Sequence, residues 1–456
     1  MKAMHDQLER YTTQLEALAR DQGLDYYPVD FELVPASFMT EVAVYGLPVR
    51  MPHWSFGVRY IHQYVQHRMG HSRLFEVVFP GNPGRAYLSE NNSVEENTLV
   101  VAHVLGHADF ARNNALFAAS QRQVGYDIVD LAAQRAKQIA GFIEAHGVTA
   151  VEAVLDAALA LEPHIDVNHP LRRPPYPEYV EDAPKGSGDG FHSRFATLPG
   201  EAAPAPARQH RRAPVPPHPE LDLLWFIANY GGQMEDWERD IFLMVREESF
   251  YFHPLFSCQI MNEGWASYWH ARLLREADFL PQHLYLEAIK THSDVVRPYA
   301  GDDQTALAIN PYHVGFVLWE RLVEEQGLEA ARRVMSCEDD FGFLRNHLDE
   351  ALARELRLFR YQARRNGEIA VTAADLDDLV EEILAPRFNF GAPRIAVAEL
   401  GNDGSLILEH DHRTDGRGLD LERSAKVLEY IQRVWRRPVV LRTVDGDGAE
   451  RIIESR

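Results

Sequence analysis

Two histidines, His103 and His107, lie four residues apart in the apolar segment VVAHVLGHADF, residues 100–110. In an α-helix this spacing places both rings on one face, one turn apart, where both imidazoles can bind one zinc ion. Zinc proteases carry a glutamate directly after the first histidine or directly before the second, but Val104 and Gly106 stand there. The motif therefore predicts a ligand pair without the usual catalytic base. The alternative is a pair of core histidines bonded to neighbouring polar groups.

A second dense stretch, QIMNEGWASYWH at residues 259–270, contains Glu263 and His270 seven residues apart. Seven residues are two helical turns, so both side chains share one helix face. With the histidine pair they make a set of nitrogen and oxygen ligands that suits zinc in four-fold geometry, and His270 is either a fourth ligand or an acid/base group. The sequence thus predicts one divalent metal ion, zinc first, bound by His103, His107, Glu263 and His270. The alternative is a packed helix whose polar groups satisfy one another.

Three further polar residues are expected to orient the metal-binding side chains through hydrogen bonds, without contacting the metal themselves. Asn114 falls in the same angular wedge as the histidine pair if residues 94–117 form one helix. Glu247 and Glu248 lie in the apolar segment DWERDIFLMVREESFYF. For these two carboxylates, ordinary ion pairs with Arg239 and Arg246 are the alternative.

Helical periodicity dominates the chain, and the predicted fold class is mainly α: a multi-helix body, open to a zincin-like interpretation, with a few short strands. Ser93-Val94-Glu95-Glu96 is typical of a capping box and predicts a helix through Phe117. The segments LFEVVF and RAYL, joined by Gly-Asn-Pro-Gly, predict a β-hairpin over residues 74–88. Asn310, followed by proline, and Gly327 mark the start and the end of another helix.

Changes of pattern divide the chain into four regions. They are an N-terminal helical region with the short hairpin (1–161), a Pro/Gly-rich surface excursion (162–219), a helical region that completes the core (220–390) and a small α+β domain (391–456). The last region reads as strand-strand-helix-strand-strand, with its first turn at Asn402-Asp403-Gly404. Its switch from helical to alternating pattern predicts a domain separable from the helical body.

Composition narrows the range of partners. The chain has 68 acidic and 46 basic residues and a formal net charge of −22, which does not suit a nucleic-acid backbone or an anionic membrane surface. No apolar run is long enough for a membrane span, and no signal peptide is recognisable. The two cysteines, Cys258 and Cys337, do not form a disulfide framework or a cysteine zinc site. These observations predict a soluble, cytoplasmic protein, and no pattern specifies its oligomeric state.

Six separated blocks, in order along nearly the whole chain, resemble the stage V sporulation protein R family, the SpoVR-like proteins. The blocks are PHWSFGVRY (52–60), NSVEENTLVVAHVLGHADFARNN (92–114), WERDIFLMVREESFYF (237–252), QIMNEGWASYWH (259–270), INPYHVGFVLWERL (309–322) and DDFGFLRNHLDEALARELRLFRY (339–361). Two of them contain the histidine pair and the Glu263/His270 pair. The resemblance therefore supports one shared site for these residues.

The resemblance implies a role in formation of the spore cortex, the modified peptidoglycan of endospores, or a related stress or stationary-phase role. It also implies partners among the proteins of sporulation or of a serine protein kinase system. Because the family lends no catalytic residues, two functions stay open. One is a regulatory or structural factor with a His/Glu metal site. The other is a metal-dependent hydrolase with a degenerate zincin-like site, using Glu247, Glu248 or Glu263 as its base. An open coordination position facing a cleft would favour the hydrolase.

Overall fold

A computed structural model describes residues 2–60, 75–181, 210–296, 310–358, 360–363, 369–372 and 375–455. Helices dominate these ranges and the strands are short, which confirms the mainly α fold class. In the N-terminal part the elements are α1 (Lys2–Asp21), β1 (Val29–Val34), α2 (Ala36–Tyr45), β2 (Glu76–Phe79), β3 (Gly84–Ser89), α3 (Val94–Asn113), α4 (Ala115–Val124), α5 (Ile128–His146), α6 (Val148–Ala160) and β4 (Tyr179–Glu181).

The remaining elements complete the helical body and the C-terminal region. They are β5 (His210–Arg212), α7 (Leu223–Tyr230), α8 (Asp236–Ser257), α9 (Gln259–Glu276), α10 (Gln282–Val295), α11 (Pro311–Gln326), α12 (Leu328–Cys337), α13 (Asp340–His347), α14 (Glu350–Glu355), β6 (Arg360–Ala363), β7 (Ile369–Thr372), α15 (Leu376–Leu384), β8 (Ile395–Leu400), β9 (Leu406–His410), α16 (His412–Asp415), α17 (Leu421–Trp435), β10 (Val439–Val444) and β11 (Glu450–Glu454). No described helix is both long enough and apolar enough to cross a membrane.

The N-terminal sheet contains the predicted hairpin and one strand that the sequence did not reveal. Strands β2 and β3 pair antiparallel, as the alternating pattern and the Pro/Gly turn predicted. Strand β1 pairs parallel with β3, so that the order across the sheet is β1-β3-β2. Parallel pairing joins segments that are distant in sequence, and β1 therefore has no local turn signal that would announce its partner.

The histidine helix α3 begins as predicted and ends earlier than predicted. The Ser93 hydroxyl accepts a hydrogen bond from the Glu96 amide at 3.1 Å, and the Glu96 carboxylate accepts one from the Ser93 amide at 2.8 Å. The expected continuation to Phe117 is wrong. Asn114 has extended backbone angles, and its side-chain oxygen accepts hydrogen bonds from the amides of Leu116 and Phe117. A short amide side chain can replace the helical bonds in this way, so Asn114 separates α3 from α4.

Helix α9 lies in close backbone contact with helices α3 and α11. A Cβ atom added to Gly106 would stand 2.7 Å from the Cα atom of Ala266, and one added to Gly264 would stand 2.3 Å from the carbonyl carbon of Gly315. Only residues without a side chain, or with a single methyl group, permit such an approach. The main hydrophobic core surrounds these crossings and includes Trp265, Trp269 and Trp319.

The C-terminal region has the predicted strand-strand-helix-strand-strand order, with the additional short helix α16 before α17. Its sheet order is β11-β10-β9-β8, with β9 and β10 parallel and the other two pairs antiparallel. The region does not pack by itself. Trp435 stacks against Phe226 of α7 with ring centroids 6.3 Å apart, and Glu220 bridges Val397 of β8. The C-terminal region and the helical body thus share one hydrophobic core, and the separability of the region stays a prediction.

The Pro/Gly-rich region predicted at 162–219 is described in part, and residues 182–209 lie outside the described residues. The chain on either side of that gap is held to the body. Strands β4 and β5 pair with each other, and the buried side chains of Arg173 and Glu220 form an ion pair at 2.6 Å. The Arg246 guanidinium donates to the backbone carbonyl of Leu171. The residues close to these contacts are therefore held against the helical body.

Candidate metal centre

Helices α3 and α9 bring three of the predicted ligands together. The Nε2 atoms of His103 and His107 lie 3.5 and 3.4 Å from the same carboxylate oxygen, Oε2 of Glu263. One ligand atom from each residue lies within 4.8 Å of the other two. The close approach of Gly106 to Ala266 makes this possible, because it places the histidine face of α3 directly against the start of α9.

The group is buried and contains polar atoms that have no partner among the described residues. His103 is 3% exposed and His107 is 8% exposed. Nε2 of His103 and Oε2 of Glu263 are both buried without a hydrogen bond, although nearly all buried polar atoms in proteins have one. Two imidazole nitrogens and a carboxylate oxygen are ligands that zinc prefers. A divalent cation between these atoms would satisfy all of them, so the residues fit the predicted metal.

The three residues of the group shift one another's pKa. Burial by itself would raise the pKa of Glu263, but the charges of His107 and His103 close to its carboxylate lower that pKa to about 2. Burial and the neighbouring charge of His107 lower the pKa of His103. Glu263 is therefore an ionised carboxylate and His103 a neutral imidazole near neutral pH. Burial lowers the pKa of His107, but the charge of Glu263 and the contact with Asn262 outweigh burial and raise it, so a metal ion would have to displace a proton from His107.

Two polar side chains, one from α13 and one from α9, hold the start of α9 and the ring of His107 in place. The Asp340 carboxylate accepts hydrogen bonds from the backbone amides of Ile260 and Met261, each at 2.9 Å, and so caps the helix that carries Glu263. The side-chain oxygen of Asn262 lies 2.9 Å from Nδ1 of His107. An amide oxygen only accepts, so Nδ1 of His107 carries a proton, and in the neutral ring Nε2 presents a lone pair to the group.

Comparison with known families identifies the chain. The model of the family described as SpoVR like protein matches residues 2–383, and the model described as SpoVR-like C-terminal domain matches residues 393–446. This chain belongs to the SpoVR family. The resemblance found in the sequence is thereby confirmed. A SpoVR-like curated relative, Uncharacterized protein YcgB of Escherichia coli (strain K12), is 28% identical over 491 residues, which cover 98% of this chain and 94% of that protein. No solved structure matches the chain.

His270, the fourth predicted ligand, lies behind His103 in this SpoVR family member. Its Nδ1 atom is 2.9 Å from Nδ1 of His103, and its Nε2 atom contacts Nδ1 of His292 on α10. Both ring nitrogens of His270 are therefore directed at other imidazoles. The structure therefore places His270 outside the group of His103, His107 and Glu263, in contact with His103.

The three residues expected around the ligands have other partners in the SpoVR fold. The side-chain amide of Asn114 donates to two backbone carbonyls at the end of α12, at 2.8 and 3.0 Å. Glu248 accepts from Arg50 at 2.7 Å, and Glu247 accepts from Arg135 at 2.6 Å. The break after α3 turns Asn114 away from the histidine face. The two glutamates form ion pairs, as in the alternative, but with these distant arginines; Arg239 and Arg246 pair with Asp236 and Asp222 instead.

Glu76 is a functional candidate that the sequence reading missed. It begins β2 and shares a sheet face with Val78, which packs against the core that contains α3, whereas Val77 packs on the opposite side. Burial and the negative charge of Glu263 raise the pKa of Glu76 to about 7, and His107 lowers it. A carboxylate on the apolar face of an otherwise apolar strand is the signal that could have identified it.

Proposed function

We propose that this SpoVR-family protein binds a divalent metal ion, zinc first, through His103, His107 and Glu263. The observation that carries the proposal is the pair of buried atoms, Nε2 of His103 and Oε2 of Glu263, that face each other at 3.5 Å without a hydrogen bond among the described residues. If the histidines were ordinary core residues, each unsatisfied atom would cost about 1–3 kcal/mol. A bound cation removes that cost.

The metal centre serves, in this proposal, a regulatory or structural role in the cytoplasm. Family membership supports a role in formation of the spore cortex or in a related stress or stationary-phase process. Partners are proteins of the sporulation or serine-protein-kinase systems. The net charge of −22 supports protein partners over nucleic acid.

The test of metal binding uses full-length protein purified without a histidine tag. We expect a metal content near one ion per chain and a melting temperature that falls on chelation, because a ligand at 100 times its Kd stabilises the native state by about 2.7 kcal/mol. His103→Ala should melt like chelated wild type and should not respond further to chelator. His283→Ala, which removes an exposed histidine from α10, is the matched control and should behave like wild type.

A metal-free native protein that does not respond to zinc, manganese or iron would refute the proposal. In that case His103, His107 and Glu263 would form a buried polar contact within the core. A chelator effect that persists unchanged in His103→Ala would place the metal elsewhere in the chain.

Glu76 favours a second candidate function, a metal-dependent hydrolase. Val104 is fully buried and Gly106 lies against Ala266, so neither usual base position faces the ligand group. Glu76 supplies a carboxylate near Glu263 and His107 instead. Zinc held by His103, His107 and Glu263 would supply Lewis acidity, and the Glu76 carboxylate would be the general base.

The hydrolase is tested with zinc-loaded protein on an unstructured protein and on purified peptidoglycan. Glu76→Gln should keep the zinc content and melting temperature of wild type and lose about 10²–10⁴-fold in hydrolysis, the contribution typical of a general base. If zinc-loaded wild type hydrolyses neither substrate above the level of Glu76→Gln, the hydrolase candidate fails. The metal-binding proposal would be unaffected by that result.

A further inference from the structure

Three imidazoles connect the candidate metal ligand His103 to helix α10. Nδ1 of His103 lies 2.9 Å from Nδ1 of His270, and Nε2 of His270 contacts Nδ1 of His292. His103 and His270 are buried, whereas His292 is half-buried. The three rings come from three different helices, α3, α9 and α10. This His103–His270–His292 chain is not used by the metal site as described above.

A chain of neutral imidazoles has only two self-consistent hydrogen-bond arrangements. A neutral ring has one N–H and one lone pair, so each ring that accepts at one nitrogen must donate from the other. Burial disfavours the charged form of an imidazole, and His103 and His270 are both buried. The direction of the bond at one end of the chain therefore sets the direction at the other end.

The two arrangements differ in what His103 presents to Glu263. When His103 donates from Nδ1, His270 accepts and in turn donates to His292, and Nε2 of His103 presents a lone pair to a metal ion. In the reversed chain His292 donates, and Nε2 of His103 carries a proton that blocks metal binding.

We propose that His270 and His292 are positioning residues that set the tautomer of His103, so that its Nε2 lone pair faces the metal position. This inference rests on the proposed metal site. If the inference holds, the metal affinity of the buried centre also depends on the half-buried ring of His292. Occupancy of the site is thereby coupled to the placement of helix α10.

The expected loss follows from the partners that remain after each substitution. Removing a hydrogen-bond partner of a metal-ligating histidine typically weakens metal binding about 10–100-fold. For His270→Leu we expect a loss of about tenfold or more, since Nδ1 of His103 then lacks its imidazole partner. His292→Leu should cause a smaller loss, because His270 can still accept. The variant that carries both His270→Leu and His292→Leu should bind zinc as tightly as His270→Leu alone, as expected for residues that act in series.

The test measures zinc affinity by competition with a chromophoric chelator, and the absorption spectrum after cobalt substitution. His270→Asn is the rescue variant, because its amide oxygen can accept from His103 near the position of Nδ1, and it should recover most of the affinity. His283→Leu removes an exposed histidine from α10 and should match wild type. The cobalt spectrum of His270→Leu should keep the wild-type band intensity, because the number of nitrogen ligands is unchanged.

Each other result contradicts the inference in a distinguishable way. Wild-type zinc affinity in His270→Leu and His292→Leu would refute the positioning role and leave the metal site intact. Loss of affinity in His270→Leu as complete as in His103→Ala, with an altered cobalt spectrum, would make His270 a direct ligand. If the wild-type protein binds neither zinc nor cobalt, both the metal-binding proposal and the positioning role are refuted. If His270→Leu does not fold, His270→Asn and His292→Leu decide the question.

Discussion

The contact between Gly106 and Ala266 yields the sharpest prediction about the site, through the substitution Gly106→Ala. The new Cβ would lie 2.7 Å from the Cα of Ala266, whereas ordinary van der Waals contact begins at 3.4 Å, so α3 and α9 must separate by about 0.7 Å. Overpacking of this kind costs about 1–3 kcal/mol, and alanine returns up to about 1 kcal/mol through helix propensity. We expect a net loss of about 1–2 kcal/mol in the free energy of unfolding of the metal-free protein, measured by urea denaturation.

The same separation should weaken zinc binding. His103 and His107 move with α3 while Glu263 stays with α9, and metal–ligand distances tolerate deviations of only about 0.2 Å. Zinc affinity should therefore fall by at least about tenfold in a competition titration. Gly141→Ala is the control, because a Cβ there meets nothing within 4 Å in the middle of α5, and it should raise stability slightly and leave zinc affinity unchanged. Equal behaviour of the two variants would refute the backbone contact as the feature that sets the ligand spacing.

Two further predictions concern the elements that hold the site and the body. Asp340→Ala leaves the buried amides of Ile260 and Met261 without their acceptor and should lower the free energy of unfolding by about 1–3 kcal/mol; unchanged urea denaturation would show that the cap of α9 is dispensable. Truncation after Phe390 exposes the fully buried Phe226 and its neighbours on α7. The shortened protein should keep much of its helical circular dichroism, but it should bind a hydrophobic dye and melt at lower temperature than wild type. A melting curve like that of wild type would show that the C-terminal region is a separable domain.

Local signals in the sequence predicted local structure well. The capping box at Ser93, the hairpin of β2 and β3, and the helix between Asn310 and Gly327 each depend on residues only a few positions apart. Side-chain chemistry at helical spacing also selected His103 and Glu263, which the fold brings into contact although they lie on different helices. In both cases the deciding information is contained in a short window.

Partners from distant segments were not predictable in this way. Glu247 and Glu248 read as potential site residues because the arginines that neutralise them come from other elements, 112 and 198 residues away in the chain. Glu76 and His292 reach the site from a strand and a helix that carry no metal motif of their own. Only tertiary packing determines which polar side chains meet at one point, and one sequence does not specify that packing.

The nearly complete burial of α3 has a consequence for the synthesis of the chain. Fourteen of its twenty residues are buried, and α9, its main partner, carries Asn262, which is 155 residues beyond His107. At about 5–20 residues per second, a ribosome needs roughly 8–30 s to make that interval, and throughout it the apolar α3 has no α9 to cover it. The nascent chain therefore requires protection of α3 from aggregation. The group of His103, His107 and Glu263 is assembled only after α9 has emerged, so a metal ion bound there would be loaded late in maturation.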